Sequence, residues 1–82
     1  MRYNNFTEVF VDNKTAQIRD DEEYITLGTL LKIVGIIDTG GMAKVFLANN
    51  TVYVNGEEEN RRGRKLYRGA VVRVGNKAFS II

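Results

Sequence analysis

The chain has 82 residues, of which 44% are hydrophobic and 27% charged, as is ordinary for a globular domain. It has no cysteine and no histidine, which excludes disulfides, thiolate nucleophiles and the commonest general base and metal ligand. The net charge of +2 conceals an uneven distribution: residues 1–60 carry five basic and ten acidic side chains, and residues 61–82 carry seven basic side chains and no acid. Such asymmetry indicates a surface that binds a polyanion.

The N-terminal sequence MRYNNFTEVF lacks the apolar stretch of a signal peptide. The longest apolar tract, residues 27–37, contains Lys32 and is too short to cross a bilayer. We therefore expect a cytoplasmic protein without a membrane partner.

An N-terminal extension is predicted over residues 1–24. Residues 6–11 and 15–19 have the composition of two strands joined by a turn at residues 12–14, which predicts a β-hairpin. The acidic connector that follows, DDEEY, is best interpreted as a solvated loop. A magnesium site there is disfavoured because adjacent acids on a flexible loop define no coordination geometry. We predict neither a metal nor a cofactor.

The first predicted helix begins after Thr26, a suitable N-cap residue. Apolar side chains then recur at the spacing of one helical face, at Leu27, Leu30, Leu31 and Val34. Gly35 is expected to end this helix, and DTGG to connect it to the next.

A second, shorter helix is predicted from Met42 to about Asn49. Its apolar residues Met42, Val45 and Phe46 are expected to face the core, which leaves Lys44 on the outer side. The two short helices form a helix-turn-helix-like pair.

Strands are predicted over residues 51–54, 71–74 and 77–82. Asn55-Gly56 is a strong hairpin signal, and Gly75-Asn76 marks a second hairpin turn. The fold class is therefore α+β, with the helix pair packed on a small, mostly antiparallel sheet. This domain is predicted to span residues 25–82, after the N-terminal extension.

Enzymatic motifs fail on their chemistry. Gly35 and Gly40 have the spacing of a phosphate-binding P-loop, but Gly41 stands where lysine is required. Ser80, the single serine, has no histidine to activate it. We therefore predict that the chain is not an enzyme. The Gly40 and Gly41 amides are a candidate phosphate site before the second helix, although the two glycines also suit a tight turn.

A basic run is the main candidate site. Arg61, Arg62, Arg64 and Lys65 surround Gly63, and Arg68 follows shortly after. Arginine forks suit phosphate oxygens. The alternative is a solvated loop partly neutralised by the acids at residues 57–59, but exposed ion pairs contribute only ~0–1 kcal/mol. Replacing the first four cations by alanine is expected to abolish most of the binding. The fold is expected to survive, because exposed loop positions usually contribute little to stability.

Two tyrosines adjoin these segments. Tyr53 and Tyr67 have rings on which an unpaired base could stack. The simpler interpretation, which we favour for both, is a half-buried ring covering a helix.

The segments ITLGTLLK, GGMAKVFL and VNGEEENRRGRKLYRG agree in order and spacing with the S-four RNA-binding domain, also called the alpha-L motif. The resemblance runs from about Ile25 to Ile82 and is closest to the small stand-alone bacterial members of the family, the YaaA-like proteins. It implies that the helix pair and the basic loop form one surface that binds structured RNA, often ribosomal or transfer RNA. By position, the resemblance assigns Lys44 and the basic loop to that surface.

The predicted function is thus RNA binding by a monomer, with ribosomal RNA as partner during ribosome assembly or translation. The alternative is a protein-interaction adaptor whose basic loop docks an acidic partner.

Overall fold

The computed structural model describes residues 12–82. Its elements in chain order are strand β1 (Asp12–Ala16), strand β2 (Tyr24–Thr26), helix α1 (Leu27–Ile33), a 3₁₀ turn (Gly40–Met42), helix α2 (Ala43–Asn49) and strands β3 (Val52–Val54), β4 (Glu57–Glu59), β5 (Lys65–Tyr67), β6 (Val71–Val74) and β7 (Lys77–Ile81). The predicted α+β fold, with two helices and a mostly antiparallel sheet, is confirmed.

Within the described residues, the strands form a main sheet and a ribbon. The main sheet has the order β1-β7-β6-β3-β4, and β2 pairs with β5 in a separate antiparallel ribbon. The β1–β7 pair is parallel, whereas the other pairs of the main sheet are antiparallel. Asn55 (φ 52°) and Gly56 (φ 86°) take left-handed conformations, as the central residues of a type I′ hairpin do. The predicted hairpin at this position is confirmed.

The predicted turn at residues 12–14 is wrong. Those residues belong to β1, where Lys14 lies opposite Phe79 of β7. Asp, Asn and Lys favour turns, but pairing with the edge of β7 that β6 leaves open overrides that local preference. Ala16 and Ile18 then enter the core. The first strand of the predicted hairpin, residues 6–11, lies outside the described residues.

Helix α1 begins and ends where its sequence predicts. The Oγ1 atom of Thr26 accepts a hydrogen bond from the Thr29 amide at 3.3 Å, which satisfies one of the free N–H groups of the first turn. Gly35 takes a left-handed conformation (φ 81°), and its amide donates to the Lys32 carbonyl at 3.1 Å. This glycine turn ends the helix.

One hydrophobic core joins α1 to both sheets. Leu27, Leu30 and Leu31 of α1 are fully buried. Each such side chain contributes about 1.5–3 kcal/mol through burial. The main sheet supplies Val52, Val54, Val72, Phe79 and Ile81 to the same cluster, and the ribbon supplies Ile25 and Leu66. The ribbon is therefore anchored through its inner face.

The predicted inner face of α2 is wrong for two residues. Met42 is 44% exposed and Val45 is 64% exposed, whereas Ala43 and Leu47 are buried. Met42 belongs to the 3₁₀ turn, so the helix itself begins at Ala43 and buries the i, i+4 pair of Ala43 and Leu47. Phe46 is half-buried against the core, as expected, and Lys44 is exposed, as expected.

Tyr53 and Tyr67 are more exposed than expected, and the packing of either ring over a helix stays a prediction. Tyr53 is 41% exposed and Tyr67 is 51% exposed. Side chains alternate along a strand, and the neighbours Val52, Val54 and Leu66 take the inward positions. Both tyrosine rings therefore point away from the core.

Candidate nucleic-acid interface

A buried carboxylate organises the loop that follows β4. Glu59 is 6% exposed and accepts two hydrogen bonds from the Arg61 guanidinium, at 2.9 Å from Nε and 3.0 Å from Nη2. Arg64 Nη1 donates at 2.7 Å to Glu59 Oε1, the oxygen that also accepts from Arg61 Nη2. The amides of Asn60 and Arg61 donate to the same carboxylate at 3.1 and 3.0 Å. We call residues 60–64 the arginine loop, and its shape depends on Glu59.

The charge of Glu59 is stabilised by these contacts. Hydrogen bonds from Arg61 hold the pKa of Glu59 well below its usual range, although burial opposes them, and Arg64 lowers it further. The same pairing raises the pKa of Arg61. Glu59 is thus ionised at neutral pH and partly neutralises two of the predicted phosphate ligands. The Arg61 side chain remains 72% exposed and that of Arg64 only 28%.

This arrangement changes what a substitution in the loop tests. Arg64 is not a freely exposed loop residue, because it compensates a buried acid together with Arg61. Removing both partners would leave the Glu59 charge buried without compensation, which is costly in proteins. The expectation that the fold survives alanine substitution therefore applies to Arg62 and Lys65, and not to the whole basic run.

The first turn of α1 holds the arginine loop from the other side. The Leu27 amide donates to the Arg64 carbonyl and the Gly28 amide to the Arg62 carbonyl, each at 2.9 Å. These are N–H groups that lack partners within the helix. A Cβ atom at Gly28 would lie 3.4 Å from the Arg62 carbonyl oxygen and 3.5 Å from the Ala43 side chain. α1, α2 and the arginine loop therefore meet at van der Waals distance around Gly28.

The meeting point of these three segments is a polar groove, which we call the helix groove. It has a volume of about 370 Å³ and is lined by Thr26, Gly28, Thr29, Lys32, Gly40, Ala43, Arg62 and Gly63. Arg62 and Lys32 supply its positive charge. Both residues are exposed, and among residues 12–82 no acidic side chain pairs with either of them. The helix groove is thus a positively charged surface with hydroxyl and amide groups beside it.

The three site residues predicted at the start of the second helix, Gly40, Gly41 and Lys44, lie on three different faces. Gly40 lines the helix groove, whereas Gly41 lines an apolar groove with Met42, Val45 and Phe46. Lys44 faces a third cavity with Glu58, Glu59 and Asn60, so it lies beside the start of the arginine loop. The helix that Gly40 and Gly41 precede has only seven residues. The contact of their amides with a phosphate stays a prediction.

Arg68 has an internal structural role. Its guanidinium donates to the carbonyls of Ile18 (3.2 Å), Arg19 (3.0 Å) and Glu22 (3.2 Å). It thereby fastens the acidic connector to β5. The predicted contact of Arg68 with RNA stays a prediction, and its planar fork is already occupied by these carbonyls.

Lys65 directly follows the arginine loop and begins β5, on the outer face of the ribbon. Its Nζ atom lies 4.9 Å from the centre of the Tyr24 ring, a cation–π contact. Arg62 and Gly40 line the helix groove, and Thr26, which also lines it, lies opposite Lys65 on the ribbon.

Sequence reasoning missed Lys32 and the role of Glu59. Lys32 follows Thr29 at i, i+3, so these residues mark the polar stripe of an otherwise apolar helix, a signal that could have been used. For Glu59, the signal is the alternation of side chains along β4. Glu58 pairs with the outward-facing Tyr53, which places Glu57 and Glu59 on the inner face. That pattern singles out Glu57 and Glu59 but does not distinguish between them.

Two further properties of the described residues bear on function. Among residues 12–82, no group of three acidic side chains is placed to hold a metal ion. In the same part of the chain, neither helix has the length and apolar character needed to cross a membrane.

Comparison with known proteins identifies the class. The model of the S4 domain family matches residues 16–82, so the chain belongs to the S4 domain family, a class of RNA-binding module. The chain is also 52% identical over 63 residues to the probable ribosome maturation protein RlbA of Bacillus subtilis (strain 168). That alignment covers 76% of this chain and 89% of the relative. The resemblance drawn from the three quoted segments is thereby confirmed.

Proposed function

We propose that this protein binds structured ribosomal RNA through the helix groove and the arginine loop, without catalysing a reaction, during maturation or assembly of the ribosome. Membership of the S4 domain family supports RNA as the partner, and the name of the RlbA relative supports the ribosomal setting. We further propose that it acts in the cytoplasm as a monomer and that residues 25–82 carry the RNA-binding surface.

The observation that carries this proposal is that some cations of the basic run bind Glu59 while Arg62 is left exposed at the helix groove. Glu59 uses Arg61 and Arg64 to fix the backbone of the arginine loop. Arg62, in the turn of the loop, then lines the helix groove together with Lys32. Preorganised cations lose little conformational entropy on binding, which favours affinity. A phosphate backbone in the helix groove would meet both Arg62 and Lys32.

The test is a double substitution of the two groove cations. Arg62→Gln with Lys32→Gln removes both charges without touching the Glu59 contacts. The matched control is Arg73→Gln with Lys77→Gln, which removes one arginine and one lysine at the β6–β7 turn, away from the helix groove. Both double variants have the same net charge, so a difference between them reports position.

We expect the groove variant to lose at least about tenfold in affinity for purified ribosomal RNA, and the control to change by less than about threefold at equal salt. Equal losses in the two variants would mean that RNA senses only net charge. If the wild-type protein keeps one tight protein partner after nuclease treatment has removed the RNA, the adaptor alternative replaces RNA binding.

A further inference from the structure

The outer face of the β2–β5 ribbon carries two aromatic rings beside a cation. Tyr24 lies opposite Tyr67, with ring centres 5.8 Å apart and ring planes tilted by 53°. Lys65 Nζ lies 4.9 Å from the centre of the Tyr24 ring. The inner residues Ile25 and Leu66 are buried in the core, so the ribbon is fixed while its outer face is open. We call Tyr24, Tyr67 and Lys65 the tyrosine face.

Thr26 connects the tyrosine face to the helix groove. It lies opposite Lys65 on the ribbon and lines the helix groove together with Arg62. Thr26 lies two positions after Tyr24 on an extended strand, a distance of about 6.6 Å. The helix groove and the tyrosine face are therefore close enough for one RNA strand to reach both.

We propose that the tyrosine face is a stacking site for one unpaired nucleobase of the bound RNA, with Tyr67 as the stacking ring and Lys65 as the contact to the adjoining phosphate. This inference rests on the proposed function. Tyr67 is 51% exposed and lines a cavity of about 380 Å³ with Lys65 and Arg68, whereas Lys65 lies over Tyr24. The tilted contact with Tyr24 orients the Tyr67 ring, which lowers the entropy lost on stacking.

The charges around the tyrosine face favour a nucleotide over an acidic protein segment. Lys65 lies at the end nearest the arginine loop, and the acidic residues 20–23 adjoin Tyr24 at the other end. A phosphate is attracted at the first end and repelled at the second. An uncharged base extending from that phosphate meets no repulsion, whereas a run of acidic side chains crossing the whole face does. Base–aromatic stacking is also tolerant of sequence, which suits a site with no side-chain fork aimed at a base edge.

The experiment compares two probes and four variants. The probes are an oligouridine, which is single-stranded, and an RNA duplex of the same length, in low salt. The variants are Tyr67→Leu, Tyr67→Phe, Tyr53→Leu and Arg62→Gln. Tyr53 is the matched control because its ring is similarly exposed, at 41%, but lies on the main sheet opposite Arg73. Circular dichroism verifies that each variant is folded.

We expect Tyr67→Leu to weaken binding of oligouridine about 5- to 150-fold and to leave duplex binding within about twofold, since stacking requires an unpaired base. Tyr67→Phe keeps the ring and should bind both probes like the wild type. Tyr53→Leu should change neither affinity. Arg62→Gln should weaken binding of both probes, because it acts on the phosphate backbone.

Each other outcome has one meaning. If Tyr67→Leu leaves oligouridine binding unchanged while Arg62→Gln weakens both probes, the stacking site is overturned and the proposed function stands. If Tyr67→Leu weakens both probes equally, Tyr67 contacts the backbone and the stacking site is again overturned. If the wild-type protein binds neither probe and no ribosomal RNA, the proposed function fails and the stacking site fails with it.

Discussion

The arginine loop and the acidic connector are both held by arginine, but through different acceptors. In the arginine loop, Arg61 and Arg64 converge on one buried carboxylate, Glu59. At the connector, the single guanidinium of Arg68 spreads over three neutral backbone carbonyls. Hydrogen bonds between two charged groups are stronger than those to a neutral carbonyl. The arginine loop is therefore fixed more strongly but depends on a titratable group, whereas the connector is fixed more weakly and depends on none.

The largest effect on stability should come from removing the charged anchor of the arginine loop, Glu59 with its two arginines. Glu59→Ala removes the carboxylate that accepts from Asn60, Arg61 and Arg64 and should lower the free energy of unfolding by about 2–3 kcal/mol. Urea unfolding followed by circular dichroism measures this loss. Glu58→Ala is the matched control, because the neighbouring residue on β4 is exposed, and it should change stability by less than about 0.5 kcal/mol. Equal losses in both variants would show that Glu59 is not the anchor.

Breaking the neutral anchor should cost less. Arg68→Ala removes the hydrogen bonds to residues 18, 19 and 22 and should lower the free energy of unfolding by about 1–2 kcal/mol. Arg68→Lys should recover little of this, because a lysine cannot span three carbonyls with a planar fork. Hydrogen exchange should show faster exchange of the connector amides and unchanged exchange in α1. Faster exchange throughout would mean that Arg68 supports the core rather than the connector.

The two anchors should also differ in their response to pH. The pKa of Glu59 is lowered in the folded protein, so its contribution is fully present above the unfolded value of about 4.3 and is lost as the pH falls towards the folded value. The difference in stability between the wild type and Glu59→Gln should therefore narrow below about pH 4. Arg68→Ala keeps Glu59 and should parallel the wild type over the same range. A constant difference for Glu59→Gln would contradict the lowered pKa.

The smallest predicted effect concerns salt. If about 3–5 phosphates are neutralised, a plot of log affinity against log salt should have a slope of about −2 to −4.5. Arg62→Ala should make the slope shallower by up to about one unit. Arg61→Ala should change it by less, because Glu59 already neutralises part of the Arg61 charge. The opposite order would mean that RNA displaces Glu59 from Arg61.

Elements governed by local chemistry could be predicted from the sequence. Thr26 as the cap of α1, Gly35 as its end and Asn55-Gly56 as a turn each depend on residues close in the chain. The pairing of β1 with β7 and of β2 with β5 could not be predicted, because it depends on contacts between segments far apart. Local propensity alone therefore placed a turn where Lys14 lies in a strand.

The candidate site shows the same limit. The charge of the basic run is visible in the sequence, so Arg62 and Lys65 could be selected as ligands. The sequence does not show which cations form internal hydrogen bonds. Arg64 donates to Glu59 and Arg68 to the Ile18 carbonyl, and both contacts depend on the folded structure. Lys32 joins the site only through the close approach of α1 and the arginine loop at Gly28.

The parallel β1–β7 pair has a consequence for how the chain folds during synthesis. The pair joins Asp12 to Lys77 and Ala16 to Ile81, and the Ile82 amide continues the ladder to the Ala16 carbonyl. Nearly the whole described chain must therefore be closed into one loop before β1 has a partner. Contacts between such distant segments slow folding. The helices can form early, but the sheet is completed only after residue 82 has left the ribosome that makes it.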